Sequence, residues 1–547
     1  MAKNLPLSKK LTTSLSAQLA LIAGLSGLIY LLIFTLPFPL SNFYATIPPV
    51  DYTKLTSYSW MGFIAYIAGL GVLFGLYIGA IRLTLSEEVR RRGGEEQHSL
   101  IWLVLMAGFI LAAILVFSYP VTAIDLFIYA IRSRGWALYG FNPLTTPPQA
   151  LPADDPWLGL AAEWRDAPSP YGPLWEWLSL GLFHLSGGDF LSHLFALKIV
   201  ALLAYLGSAW LVYRIMRQLQ PQWAIAGTIS FAWSPLVLLE SIQNGHNDSV
   251  MAFFLLAAVW VMNARMSEWA NEFIRHSLIR HLLVCLFLAL SILVKFVTVL
   301  LVPFFLLAIT GQATTWTRRL VLLTGYSLTV AGLAILPMLP LWPGWNNWAV
   351  LQAGSGAGRS LLALLVLTFK DVWGVNFAFD ASRSLLFLIY GVIYLFFLKR
   401  MIRSQKSVVS SQISAVSDQW SRFRESTRQP SNLPTFQPSN LPTLLTPSFH
   451  VLFWYVLLVA PVFHAWYLLW FLPLAALMLP QQRPLIVTTV FSITALFIIP
   501  YFETIRVWYP ALLANPFLGH LIGVPLLIVP PALALFWPIS SSAKSEV

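Results

Sequence analysis

The chain has 547 residues, 58% hydrophobic and only 10% charged, with a mean hydropathy of +0.73 and a formal net charge of +11. Soluble domains carry about 25% charged residues, so a soluble globular fold is excluded. The positive charge lies in short loops beside apolar runs, the pattern that orients membrane helices, which excludes nucleic acid as a partner and makes the lipid bilayer the surroundings.

Many separate apolar stretches approach the roughly 20 residues that a spanning helix needs, and Gly and Pro interrupt them freely. The expected fold is therefore all-α, a polytopic membrane bundle rather than an outer-membrane barrel. Lys3, Lys9 and Lys10 precede an apolar run from Leu15 to Leu40. That run is too long for a signal peptide and lacks a small-residue cleavage pattern, so a retained first span with a cytoplasmic amino terminus is expected. Further spans are expected at 58–82, 100–118, 195–213, 223–240, 249–264, 282–310, 320–339, 384–398, 449–480, 485–500 and 518–538. Basic loops at 86–98, 213–222, 271–281, 314–319, 399–406 and 481–483 are assigned to the cytoplasm. Alternation then requires 282–310 and 449–480 to be hairpins of two short helices, with Lys295 and the HAWY stretch 464–467 at their outward tips. The result is about 12 to 14 membrane helices. Cys285, the single cysteine, lies inside an apolar run, forms no intramolecular disulfide and reads as a small core residue.

Four regions follow: 1–99, two spans and a cytoplasmic loop; 100–402, carrying a large outer loop at 119–194; 403–447; and 448–547, the carboxyl-terminal helices. Within the outer loop, LWEWLSLGLFHL (174–185) predicts an amphipathic interfacial helix. Residues 403–447 are rich in Ser, Gln, Pro and Thr and carry QPSNLPT twice, at 429–435 and 437–443. Such a composition buries no core and predicts a disordered cytoplasmic insertion.

The outward side collects the polar residues. Asp125 and Tyr129 stand one helical turn apart in SYPVTAIDLFIYA. Asn142 lies in YGFNPL and Tyr171 in SPYGPLWEW; Glu240 precedes NGHND, which contributes Asn244, His246, Asn247 and Asp248. Lys295, Arg359 in a second outer loop at 341–384, and His464, Trp466 and Tyr467 complete the set. Each has a plainer reading beside the functional one. Asp125 would cap an interfacial helix, and Asn247 or Asp248 would cap the helix that follows. Lys295 would snorkel from one long helix, and Asp154, Asp155, Glu163 and Asp166 would be solvated loop residues. The capping reading leaves Glu240, Asn244 and His246 unexplained, since polar residues at membrane depth face a bundle interior or a wet cavity.

Taken in order, these motifs resemble those of the polyprenol-phosphate-sugar-dependent GT-C glycosyltransferases, and within them the bacterial mannosyltransferases that extend lipid-linked or cell-envelope mannosides. The likeness covers about residues 100–480 without the 403–447 insertion. It implies a polyprenyl-phosphate-linked hexose donor, mannose in that branch, and a glycan or glycolipid acceptor. It implies Asp125 as general base, and Lys295, His246 and Arg359 at the donor phosphate. Tyr129, Asn142, Tyr171, Glu240, Asn244, Asn247, Asp248, His464, Trp466 and Tyr467 would line the substrate pocket. A divalent metal ion is left open. A transporter or flippase is the rival reading; against it, the sequence has no inverted internal repeat and its polar groups gather on one side.

Overall fold

The computed structural model describes residues 14–47, 60–86, 94–263, 277–311, 313, 315–342, 344, 357–425 and 441–536. Lys3, Lys9, Lys10, most of the basic loop 86–98, residues 271–276, the 345–356 part of the second outer loop and the repeat up to residue 440 lie outside them. Among the described residues the regular elements are helices, and β structure is confined to two isolated bridges. Nine of these helices are long and apolar enough to cross a membrane: Leu15–Thr35, Trp60–Thr84, Ser99–Val116, Phe190–Leu219, Trp316–Leu341, Val375–Gln405, Leu441–Val459, Gln482–Trp508 and Pro516–Ala534. A bent pair, Pro221–Ala232 with Pro235–Gln243, makes a tenth if taken as one span, and Asp248–Asn263, Leu278–Val294 and Phe296–Thr310 are shorter apolar helices. The protein is an all-α, multi-pass membrane bundle.

Burial locates its centre. Gln482–Trp508 and Leu441–Val459 are 67% and 61% buried inside the protein, whereas Trp316–Leu341 and Val375–Gln405 are 11% and 22% buried and form the rim. Cys285 is fully buried, as a small core residue should be.

Three expectations change. The predicted span 223–240 is bent by 49°, because Pro235 lacks an N–H and pushes Ser234 out of the helical region, where it has ψ 123°. The predicted two short arms of 449–480 are unequal. The first runs from Leu441 to Val459, a full span, and the return consists only of Ala465–Trp470 and Leu472–Ala476. The described helix already runs at Leu441, ahead of the predicted start, and continues through Pro447. Of the segment 403–447 expected to be unstructured, residues up to Glu425 continue the helix begun at Val375, and Leu441 opens the next. Residues 403–425 contain neither Pro nor Gly, so nothing in them breaks the helix; prolines begin only at Pro430.

The outer loop is mostly helical too. Asp125–Tyr139 and Pro173–Leu185 are α-helices, joined by 3-10 turns at Pro148–Ala150 and Leu158–Trp164. Asp155, expected to be solvated, is buried. It accepts from Arg134 Nε at 2.9 Å, from the Tyr139 hydroxyl at 2.9 Å and from the Trp157 N–H at 2.9 Å, so it ties the loop together. Asp154 and Asp166 are exposed, as expected.

Candidate active site

Two glycines bring the distant motifs together. Gly245, inside NGHND, has φ +69°, and a Cβ there would meet Leu126 at 2.8 Å. Only glycine both adopts that conformation and lets the turn lie against the residue that follows Asp125. Gly172 approaches closer still: a Cβ would fall 2.0 Å from the Leu293 carbonyl oxygen, and the Gly172 N–H donates to the Val294 carbonyl at 3.0 Å. Tyr171 is thereby set beside Lys295.

Asp125 opens its helix and is buried, and its Oδ1 accepts from the Tyr171 hydroxyl at 2.5 Å. Burial, then the Asp125 charge, raises the Tyr171 phenol well above its ordinary value, which keeps it the donor. Its ring meets Tyr129 edge-on at 5.1 Å, and Tyr129 in turn meets Trp175 at 5.0 Å. On the other side, the Lys295 ammonium stands 5.6 Å from the Tyr171 ring centre and 5.5 Å from those of Tyr467 and Trp470. Lys295 is extended at the break between two short helices, and its Nζ reaches both Asp248 oxygens, at 2.7 and 2.8 Å. Trp470 Nε1 also donates to Asp248. Asp248 is thus the partner of Lys295 and not a helix cap.

The NGHND turn forms a second wall. His246 Nε2 lies 3.3 Å from Glu240 Oε2, which accepts from Asn244 Nδ2 at 2.9 Å; the same amide donates to Thr122 at 2.7 Å. The Val250 and Met251 N–H groups bond to the Asn247 backbone carbonyl, while both side-chain amide atoms of Asn247 are buried with no protein partner. Asn247 therefore does not cap with its side chain either. Glu240 Oε1 and Asn244 Oδ1 are likewise buried and unpaired. Trp466 is stacked between His246 at 4.0 Å and His464 at 4.1 Å.

A cavity of about 340 Å³ lies in front of Trp466, lined also by Thr122, Asp125, Trp164, Arg359 and His464. A short parallel bridge fixes this wall: Gly358 N–H donates to the Pro461 carbonyl at 3.1 Å and Phe463 N–H to the Gly358 carbonyl at 2.9 Å. Arg359 sits in it with φ +52° and pairs with Glu503. Burial, then the neighbouring Arg359, Lys295 and His246, holds the His464 imidazole well below its usual 6.5. The unfolded chain titrates near the ordinary value and so binds more protons below it; this histidine's contribution is full above about pH 6.5 and is lost as pH falls toward the lower folded value. Acidification from about pH 7.5 to about pH 5 should lower the melting temperature of the wild type more than that of His464→Gln, and equal drops would contradict it.

The structure thus joins Asp125, Tyr129, Tyr171, Glu240, Asn244, His246, Asn247, Asp248, Lys295, Arg359, His464, Trp466 and Tyr467 in one region. Asn142 is tied into the outer loop itself, next to Pro143, whose carbonyl accepts from the Ser169 N–H at 2.8 Å. Its Oδ1 accepts from the Leu144 N–H at 3.0 Å and its Nδ2 donates to the Leu341 carbonyl at 3.0 Å, an Asx turn that pins one outer loop to the other. Among the described residues, no group of three or more His, Cys, Asp or Glu is arranged to hold a metal ion. Glu503 and Thr122 were not foreseen, and Trp470, which follows the HAWY stretch, had no assigned role. Glu503 did leave a signal, as the only acidic residue between 484 and 536.

The family described as alpha-(1->6)-mannopyranosyltransferase, N-terminal domain, matches residues 24–311. The chain belongs to this family. It is 27% identical over 137 residues to alpha-(1->6)-mannopyranosyltransferase A of Corynebacterium glutamicum, covering 25% of this chain and 27% of that one. It is 24% identical over 182 residues to a probable alpha-(1->6)-mannopyranosyltransferase of Mycolicibacterium smegmatis, covering 32% and 30%. The chain therefore matches under a third of the length of either relative. Among solved structures it is similar to ArnT from Cupriavidus metallidurans bound to undecaprenyl phosphate, at 12% identity and a TM-score of 0.40, covering 81% of this chain and 77% of that one.

Proposed function

We propose that the protein is an inverting, GT-C-type glycosyltransferase that moves a mannosyl residue from a polyprenyl-phosphate-linked donor to a hydroxyl of a lipid-linked or cell-envelope glycan, on the extracytoplasmic face. The observation that carries this reading is the cavity itself: a buried carboxylate, Asp125, faces the same space as a cation, Arg359, and a histidine, His464. A hydroxyl attacking an anomeric carbon needs a base on one side and charge compensation for the departing phosphate on the other. Asp125 takes the acceptor proton on the oxygen not engaged by Tyr171 as the oxygen–carbon bond forms. The carbon–oxygen bond to phosphate breaks, and polyprenyl phosphate leaves with the electron pair toward Arg359, Lys295 and His246. An α-linked product, the linkage in the relatives' names, requires a β-linked donor in a single inverting displacement.

Both basic side chains already have a carboxylate: Arg359 has Glu503 and Lys295 has Asp248. A phosphodiester donor with one negative charge would share Arg359 and Lys295 with the carboxylates that already hold them. Tyr467 supplies a flat apolar face for a sugar ring, while Trp466, stacked between two histidines, holds them in the wall; Glu240, Asn244 and Asn247 supply unpaired polar atoms for the sugar hydroxyls.

Purified protein given radiolabelled mannosyl-phosphoryl-polyprenol and an α-mannoside with a free 6-hydroxyl should release polyprenyl phosphate in step with an α-linked product. No release above the protein-free control would overturn the reading. Tyr171→Phe, which keeps the ring packing and deletes only the hydroxyl on Asp125, should slow turnover about tenfold, the worth of one charge-assisted hydrogen bond. An unchanged rate would mean that Asp125 needs no such anchor.

A further inference from the structure

Lys198 and the first span have no part in this chemistry, yet both lead to one residue, Ser118. Lys198 lies within the Phe190–Leu219 helix and is fully buried. Its Nζ donates to the carbonyls of Leu115 at 3.2 Å and Ser118 at 2.5 Å. These belong to the carboxyl end of the Gly94–Val116 helix and the turn after it, where a helix leaves carbonyls without partners and where an amine donor is favoured. The Ser118 hydroxyl donates to the Phe34 carbonyl at 2.6 Å and accepts from Gln243 Nε2 at 2.8 Å. Beside it, Tyr119 N–H donates to the Phe38 carbonyl at 2.7 Å and Leu40 N–H to the Phe117 carbonyl at 2.8 Å, so the exit from the first span is bridged to the same strip of backbone.

Ser118 is seven positions ahead of Asp125, and Gln243 immediately precedes Asn244, the amide that holds Glu240 and Thr122. An ionisable side chain inside a span is costly and is retained for a purpose. We propose that Lys198, Ser118 and Gln243 form a brace that sets the distance between Asp125 and the Glu240–His246 turn, with Lys198 as its positioning residue and the first span as its anchor. The catalytic consequence rests on Asp125 being the base, as argued above. The cavity wall bearing Arg359 and His464 hangs on the separate Gly358–Val462 bridge, so loss of the brace misplaces Asp125 against the Glu240–His246 turn and leaves Arg359 and His464 in place. Misplacement of about 1 Å in such a site costs about 10²-fold in rate.

Two readouts test this in detergent-solubilised protein. The first needs no turnover: Ala123→Cys, at the cavity wall, is introduced with Cys285→Ala, and its rate of reaction with a soluble maleimide is measured with and without Lys198→Met. The brace predicts at least a threefold change in labelling rate, the same change with Gln243→Leu, and return toward the parent rate with Lys198→Arg. The second is kinetic: Lys198→Met should lower kcat by about 10- to 100-fold with a smaller change in the donor KM, since Arg359 keeps its place. An unchanged labelling rate in folded Lys198→Met and Gln243→Leu proteins overturns the brace, as does a loss of melting temperature with kcat intact. Should Lys198→Met not fold, Gln243→Leu decides alone by the same two measures. If the parent turns over no donor, the reading of the reaction fails while the labelling arm still judges the brace.

Discussion

Asp125→Asn should lower the rate of polyprenyl phosphate release by about 10²- to 10⁴-fold, the usual worth of a positioned general base. Asparagine keeps the size of the side chain and an acceptor oxygen for the Tyr171 hydroxyl, so the buried contact is preserved while the ability to take a proton is lost. The melting temperature should stay close to that of the wild type and the donor KM should change little, because Arg359 and His464 are held by the Gly358–Val462 bridge and not by Asp125. A fall in kcat alone would place Asp125 at the chemical step. A rate within tenfold of the wild type would return Asp125 to the role of an interfacial helix start.

The polar side chains of the site were legible because the chain offers so few of them: in an apolar protein each Asp, Lys or His inside an apolar run stands out, and their order along the sequence matched a known pattern. Their pairing was not legible. Glu503 reaches Arg359 across 144 positions and Trp470 reaches Asp248 across 222, distances that only the packed bundle defines. The Asx turn at Asn142 was not legible because an Asn–Pro pair in an outer loop fits a sugar contact and such a turn equally well. The difference lies in whether its oxygen bonds two residues onward, as it does to Leu144. Residues 403–425 were misread through composition, although the positions of the helix breakers carried the better information. Asp155 was taken as solvated because its neighbours are; Arg134, on the preceding helix, buries it. Lys198 was passed over, although a lysine inside an apolar run is the same signal that selected Lys295.

The Lys295–Asp248 pair allows a stability measurement to decide a question of function. Asp248 is fully buried and the Lys295 side chain is 14% exposed, with both carboxylate oxygens engaged by one ammonium. Removing one partner of such a pair strands the other charge, at a cost of about 3–5 kcal/mol, whereas removing both together is often close to neutral. Lys295→Met alone should therefore destabilise the protein strongly, and Lys295→Met with Asp248→Asn should regain most of the loss, the asparagine still accepting from Trp470 Nε1. Donor binding separates the two tasks open to the lysine. If its ammonium only neutralises Asp248, the double variant should regain the donor affinity together with the stability. If it also meets the donor phosphate, as proposed here, the double variant should fold well and still show a donor KM raised by about 10- to 100-fold, the worth of one charge-assisted contact to phosphate. A stable double variant with wild-type donor KM would remove Lys295 from the phosphate site and leave that task to Arg359, the cation that lines the cavity beside Asp125.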